Sequence, residues 1–196
     1  MFAESFQFVF KWFHSWCPQF IRQGLSFLLI QCISMAAISD AHEIVPGIWL
    51  GNKRASENEK WMKEKGITVV FNATKDIPFC PAIKKQYRIP VDDNLQPEEI
   101  RNMTLWSQEA VYKIMKEHNN GNNLLIHCAA GMQRSAALVA MFLIATRGFS
   151  WQQAITYTQG IRPIAFRPSP NFRDSLMEFD KSYHREILPQ LTSRAL

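Results

Sequence analysis

Asn123-Leu-Leu-Ile-His127-Cys128-Ala-Ala-Gly131-Met-Gln-Arg134-Ser135, running on into Ala136-Ala-Leu-Val-Ala-Met-Phe-Leu-Ile144, decides the fold of this chain of 196 residues. Asn123 to Ile126 reads as a short apolar strand. Ser135 to about Arg147 is apolar on every face, as a buried helix should be, so the amino terminus of that helix points at the loop between them. Free N–H groups and the helix dipole favour an anion there, and Ala129, Ala130, Gly131, Met132 and Gln133 can bind phosphate oxygens through their main chain. Gly131 lets the loop turn tightly. The same field favours thiolate over thiol and lowers Cys128 from its usual pKa of about 8.5, while the planar fork of Arg134 can hold two phosphate oxygens. Ser135 can donate its hydroxyl to the sulfur when that becomes a leaving group, and His127 is expected beneath the loop, orienting it. A Walker-type loop is excluded, because no Gly-Lys-Ser/Thr follows.

The run His127-Cys-Ala-Ala-Gly-Met-Gln-Arg-Ser135 resembles the HCxxGxxRS signature of the dual-specificity branch of the cysteine-dependent protein phosphatases. Transfer of a phosphoryl group to sulfur leaves an alkoxide or phenoxide, so a neutral carboxylic acid is needed on a separate loop. Asp92 and Asp93, in Arg88-Ile-Pro-Val-Asp-Asp-Asn94, are the candidates. The family's Ile-Pro-x-x-Asp pattern selects Asp93, which is taken as the acid. Poxvirus members, which this chain resembles most in HCAAGxxRS and in paired aspartates, use the first of their pair, which would select Asp92. The unchosen aspartate is expected to support the site by capping the next helix. The resemblance covers roughly residues 43–188, including Asn72, whose counterpart supports the loop, and the Pro168-Ser-Pro-Asn-Phe172 approach to the last helix.

Working outward, Gly47 to Leu50 and Ile67 to Asn72 read as strands. Ser56-Glu-Asn-Glu59 reads as a capping box opening a helix that Gly66 closes. A helix is expected from about Pro97 to His118, another from a Ser150 cap to about Thr158, and a last one from Ser169-Pro170 with Phe172, Leu176, Phe179 and Tyr183 on one stripe. Strands alternating with helices predict an α/β sandwich of the dual-specificity phosphatase type, with a mostly parallel central sheet of about five strands flanked by helices. Arg162 and Arg167 are expected as solvated flanks of a Pro-rich turn, and Cys80 as a loop cysteine.

The net charge of +5 falls outside residues 1–40, where Glu4, Lys11, Arg22 and Asp40 cancel, and a basic surface suits phosphorylated ligands. Four scattered cysteines with no C-x-x-C offer no zinc-ligand spacing and indicate a reducing compartment, the cytoplasm. No metal or cofactor is required. Residues 1–42 form an extension before a catalytic domain at 43–190. Nine of the chain's 24 aromatic residues lie in the first 40, too dense for a solvated tail. A membrane anchor, a helix that makes a homodimer, a secretory signal and an upstream stretch before a true start at Met35 all remain open readings.

The resemblance implies an enzyme that removes phosphate from phosphotyrosine and from phosphoserine or phosphothreonine in proteins, through a phosphocysteine. The same cradle serves RNA 5′-triphosphatases and phosphoinositide phosphatases, whose loops tend to carry an extra basic residue. Ala129, Ala130, Met132 and Gln133 are neutral, so nucleic acid is not an expected partner. A non-catalytic phospho-binding module would need a broken nucleophile, arginine or acid, and none is broken here.

Overall fold

The computed structural model of the chain describes residues 39–187. The expectations for the amino-terminal extension up to residue 38 lie outside them. Strand β1 (Ala41–Val45) and strand β2 (Ile48–Gly51) form an antiparallel hairpin, closed by Gly47 at φ 81°. Helix α1 (Lys53–Glu57) and helix α2 (Glu59–Glu64) lead to β3 (Ile67–Asn72), β4 (Lys85–Arg88) and the long helix α3 (Pro97–Asn119). Strand β5 (Asn123–His127) then feeds α4 (Arg134–Arg147), α5 (Trp151–Ile161), α6 (Arg173–Ser182) and a π-helical turn, Tyr183–Ile187. The sheet order is β1-β2-β5-β3-β4, with every pair parallel except the first, as the sequence predicts for a mostly parallel sheet of about five strands.

β5 sits at the centre, paired to β2 on one side and β3 on the other. A central parallel strand is covered on both faces and so reads as a continuous apolar run. Leu124 and Ile126 enter the larger core with α3 to α6, while Leu125 faces the smaller one with Met62, Val70, Trp49 and Trp61. α4 runs through the larger core, and all ten residues from Ser135 to Ile144 are buried. Its far end stops at Gly148, which takes the left-handed conformation that a closing residue needs. The stripe Phe172, Leu176, Phe179 and Tyr183 is buried as the sequence predicts.

Three local expectations are corrected. β1 was not predicted; its Ala-His-Glu-Ile-Val sequence is half polar and gains its partner only through the hairpin. The expected box at Ser56 is not used, because two asparagines cap instead. Asn52 accepts from the Ala55 N–H and Asn58 from the Trp61 N–H, each at 3.0 Å, and Ser56 donates to the Lys53 carbonyl inside α1. The last helix begins at Arg173 rather than near Ser169, since residues 167–171 are engaged elsewhere. By contrast, the Ser150 cap forms in full, with Gln153 closing a capping box. Among the described residues, no helix is long and apolar enough to cross a membrane.

Candidate active site

Cys128 follows the last residue of β5 and precedes α4 by one turn of loop. Four successive carbonyls of that loop are drawn outward. The Lys53 N–H donates to Ala129, Arg162 Nη2 to Ala130, Arg162 Nε to Gly131 and the Phe166 N–H to Met132, at 3.0, 3.3, 2.8 and 2.7 Å. In a trans peptide the N–H lies opposite the carbonyl, so the amides of Ala130, Gly131, Met132 and Gln133 face away from those partners. Gly131 has φ 66°, and a Cβ there would meet the Gly51 carbonyl oxygen at 2.5 Å. Only glycine fits.

The Cys128 sulfur is buried, which alone would push its pKa up. The Ser135 hydroxyl at 3.2 Å, the Ser135 amide, the Arg134 charge and the Gly131 amide outweigh that, and the thiol is held below its ordinary value. Arg134 donates through Nη1 to the Val91 carbonyl at 3.2 Å, and its buried Nε has no hydrogen-bond partner among the described residues. Gln133 is buried, with both ends of its amide directed to the 167–171 segment.

His127 lies under the loop, fully buried. Nδ1 is 3.4 Å from the Cys128 carbonyl, and since a carbonyl only accepts, Nδ1 carries the proton. Burial lowers its pKa to about 4, with the Arg88 and Arg134 charges adding to that and the Cys128 carbonyl opposing it. Asn72 is buried too. Its side chain donates to the Ile77 carbonyl and accepts from the Thr74 hydroxyl, so its bonds organise the loop after β3; the carbonyls of Thr74, Lys75 and Ile77 then hold Arg88.

The two aspartates have different partners. Asp92 pairs with Lys75 at 3.0 Å, and its backbone N–H donates to Glu99 at 2.8 Å, while Lys75 also binds Glu99. Asp92 does not cap the next helix as expected, since Gln96 holds that position with no side-chain cap; it belongs to a three-residue ionic knot at the start of α3. Asp93 makes no ion pair among the described residues; its Oδ1 accepts from Asn171 Nδ2 at 2.7 Å.

Arg162 corrects the expectation of a solvated flank. It is fully buried, and besides the two loop carbonyls its Nη1 contacts His42 Nδ1 at 2.8 Å. The guanidinium can only donate, so His42 accepts with Nδ1 unprotonated. Burial, and then the Arg162 charge, lower the His42 pKa accordingly. Arg167 does stay exposed. Arg162, Asn171, Lys75 and Glu99 were not selected from the sequence; the Ile-Arg-Pro and Pro-Asn-Phe steps around a turn were the visible signal for the first two.

The family model for the dual specificity phosphatase catalytic domain matches residues 48–182, which include β5, the Cys128 loop and the segment that carries Asp92 and Asp93. The chain belongs to the dual specificity phosphatase family. It is 28% identical over 171 residues to human dual specificity protein phosphatase 16, covering 84% of this chain and 25% of that one. The chain therefore spans about a quarter of that relative's length. Among solved structures, DUSP15 superposes with a TM-score of 0.68 at 28% identity, covering 79% of this chain and 96% of that one. Human DUSP28 shares the fold with a TM-score of 0.66 at 23% identity, covering 74% and 96%.

Proposed function

We propose that this family member is a protein phosphatase acting on phosphotyrosine and on phosphoserine or phosphothreonine through a phosphocysteine. The observation that carries the reading is the Cys128 sulfur at 3.2 Å from the Ser135 hydroxyl, in a loop whose amides face away from the donors that hold its carbonyls. The Cys128 thiolate attacks phosphorus in line, the S–P bond forms, and the P–O bond to the leaving group breaks. Asp93 gives its proton to the departing oxygen. The resulting carboxylate then takes a proton from water, whose oxygen attacks phosphorus as the S–P bond breaks. Ser135 donates to the sulfur as it leaves, and Arg134 with the loop amides stabilises the charge on phosphate in both steps.

Asp93 is preferred to Asp92 because Asp92 is committed to Lys75. The Lys75 ammonium at 3.0 Å and the bond from the Asp92 N–H to Glu99 tie that residue into a structural contact, whereas the Asp93 carboxyl is met by the neutral Asn171 amide. The neutral side chains at 129, 130, 132 and 133 favour phosphoprotein over triphosphate RNA or phosphoinositide. Together with the paired aspartates, the Ala129-Ala130 pair also supports our reading of the chain as closest in pattern to poxvirus-type members. Residues 1–40 are proposed to provide a homodimer or membrane contact in a reducing, cytoplasmic setting. The test is a substrate panel of phosphopeptides, triphosphate RNA and phosphoinositide. Turnover of phosphopeptide should disappear in Cys128→Ser and fall about 100-fold or more in Asp93→Asn, with Asp92→Asn affected far less. Activity that survives Cys128→Ser would sink the proposal.

A further inference from the structure

Gln133, Asn171 and Asp93 lie far apart in sequence yet form one unbroken chain of hydrogen bonds. Gln133 is 4% exposed, and its Nε2 donates to the carbonyls of Arg167 and Ser169, both at 2.9 Å. Its Oε1 accepts from the Asn171 backbone N–H at 3.0 Å. Three bonds from one side chain of the phosphate loop thus fix the segment that carries Asn171. Asn171 in turn donates from Nδ2 to Asp93 Oδ1 at 2.7 Å. The acid loop is also tied to the arginine of the cradle, since Val91 accepts from Arg134.

An amide NH₂ can only donate, and in a neutral carboxylic acid the carbonyl oxygen is the better acceptor. Holding Oδ1 as an acceptor therefore leaves the proton on Oδ2, which takes no hydrogen bond among the described residues. As that proton departs, negative charge grows on both oxygens, and the bond from Asn171 becomes charge-assisted and stronger. An interaction that strengthens along the reaction lowers the barrier rather than merely binding the ground state.

We propose that Asn171 is a positioning residue that places the proton of Asp93 on Oδ2 and registers the acid against the phosphate loop through Gln133. This rests on the reading of Asp93 as the general acid. The contribution is specific to leaving groups that need a proton. A tyrosine phenol, with a pKa of about 10, needs one. An activated aryl phosphate, whose leaving group is stable as an anion at neutral pH, does not.

The experiment compares kcat/KM for a phosphotyrosine peptide and for an activated aryl phosphate, using the full chain and its variants Asn171→Ala, Asn171→Asp, Asp93→Asn and Asp92→Asn. Asn171→Asp keeps the shape but loses the donor, which guards against a misfolded alanine variant; thermal melts check both. Both Asn171 variants should lose about tenfold or more on the phosphopeptide and less than about threefold on the aryl phosphate, the pattern of a weakened general acid. Adding Asn171→Ala to Asp93→Asn should cost nothing further on the peptide. Equal losses on the two substrates, or an additive double variant, would overturn the role of Asn171. If Asp93→Asn itself shows no leaving-group preference while Asp92→Asn does, the acid assignment fails instead, and the two failures are distinct.

Discussion

The proposed phosphate loop at 128–133 and the proposed acid loop at 91–96 are fastened by different kinds of bond. The first is held from behind by main-chain donors and by the buried guanidinium of Arg162, and it grows directly out of the central strand into the most buried helix. The second is held by side chains near the surface: Lys75 to Asp92 and Glu99, and Asn171 to Asp93. Buried bonds to carbonyls are insensitive to salt and costly to lose, whereas half-exposed ion pairs are screened and individually weak. The difference suits the two tasks proposed for them. A cradle for a charged transition state must be preorganised, while a proton donor must approach and leave with the substrate.

Arg162 offers the hardest blow to the rigid side of this contrast. Arg162→Met removes the donors to Gly131 and Ala130 while keeping apolar bulk. The buried Gly131 carbonyl and the part-buried Ala130 carbonyl then lose their partners, at about 1 to 3 kcal/mol each, so urea unfolding should show a loss of roughly 4 kcal/mol. The positive charge is also favourably coupled to the Cys128 thiolate. The pH midpoint for alkylation of Cys128 should therefore move upward in the variant. A stable protein with an unshifted midpoint would mean that the main-chain donors alone hold the loop.

His127 tests the same rigid side through pH. Its pKa in the folded chain is about 4, against an ordinary 6.5. Below 6.5 the unfolded chain takes up a proton that the folded chain refuses, so stability is complete above 6.5 and is lost as pH falls toward 4. The loss reaches about 3 kcal/mol. His127→Gln cannot titrate, so its stability should fall less over that window than that of the unaltered chain. Denaturant unfolding at pH 7 and pH 4.5 measures the difference, and parallel curves would show that His127 is not the buried group refusing the proton.

The same division governs what could be read from sequence. The strand, the loop and the helix around Cys128 are contiguous, and each is signalled by its own residues: an apolar run, a glycine at the tight turn, ten consecutive buried positions. The parallel sheet followed from alternation of such segments. β1 was illegible because a half-polar edge strand owes its existence to pairing across a hairpin. Arg162 looked like a solvated charge beside a proline, since the carbonyls that bury it lie 31 and 32 residues earlier. Adjacent Asp92 and Asp93 are nearly equivalent as sequence; Lys75 and Asn171, the latter 78 positions from Asp93, are what separate them.

Lys75 gives the smallest effect and bears on the adjustable side. Lys75→Met removes a half-exposed ammonium from the knot with Asp92 and Glu99; the buried Glu99 keeps the Asp92 N–H as a donor, so the change in unfolding free energy should stay at about 1 kcal/mol. Catalysis should respond in a way that stability does not. Without Lys75 the knot keeps only the backbone bond from Asp92 to Glu99, and the proposed acid on the next residue is less well placed. The informative quantity is the ratio of rates on the activated aryl phosphate and the phosphotyrosine peptide, which cancels effects on phosphate binding. In the unaltered chain that ratio should rise with ionic strength as the ion pairs are screened. In Lys75→Met it should start a few-fold higher and depend less on salt, because the interaction that salt weakens is already gone. A ratio that is the same in both proteins at every salt concentration would show that the acid loop owes its placement to Asn171 and Val91 and not to the ionic knot, which would make its fastening much closer in kind to that of the phosphate loop.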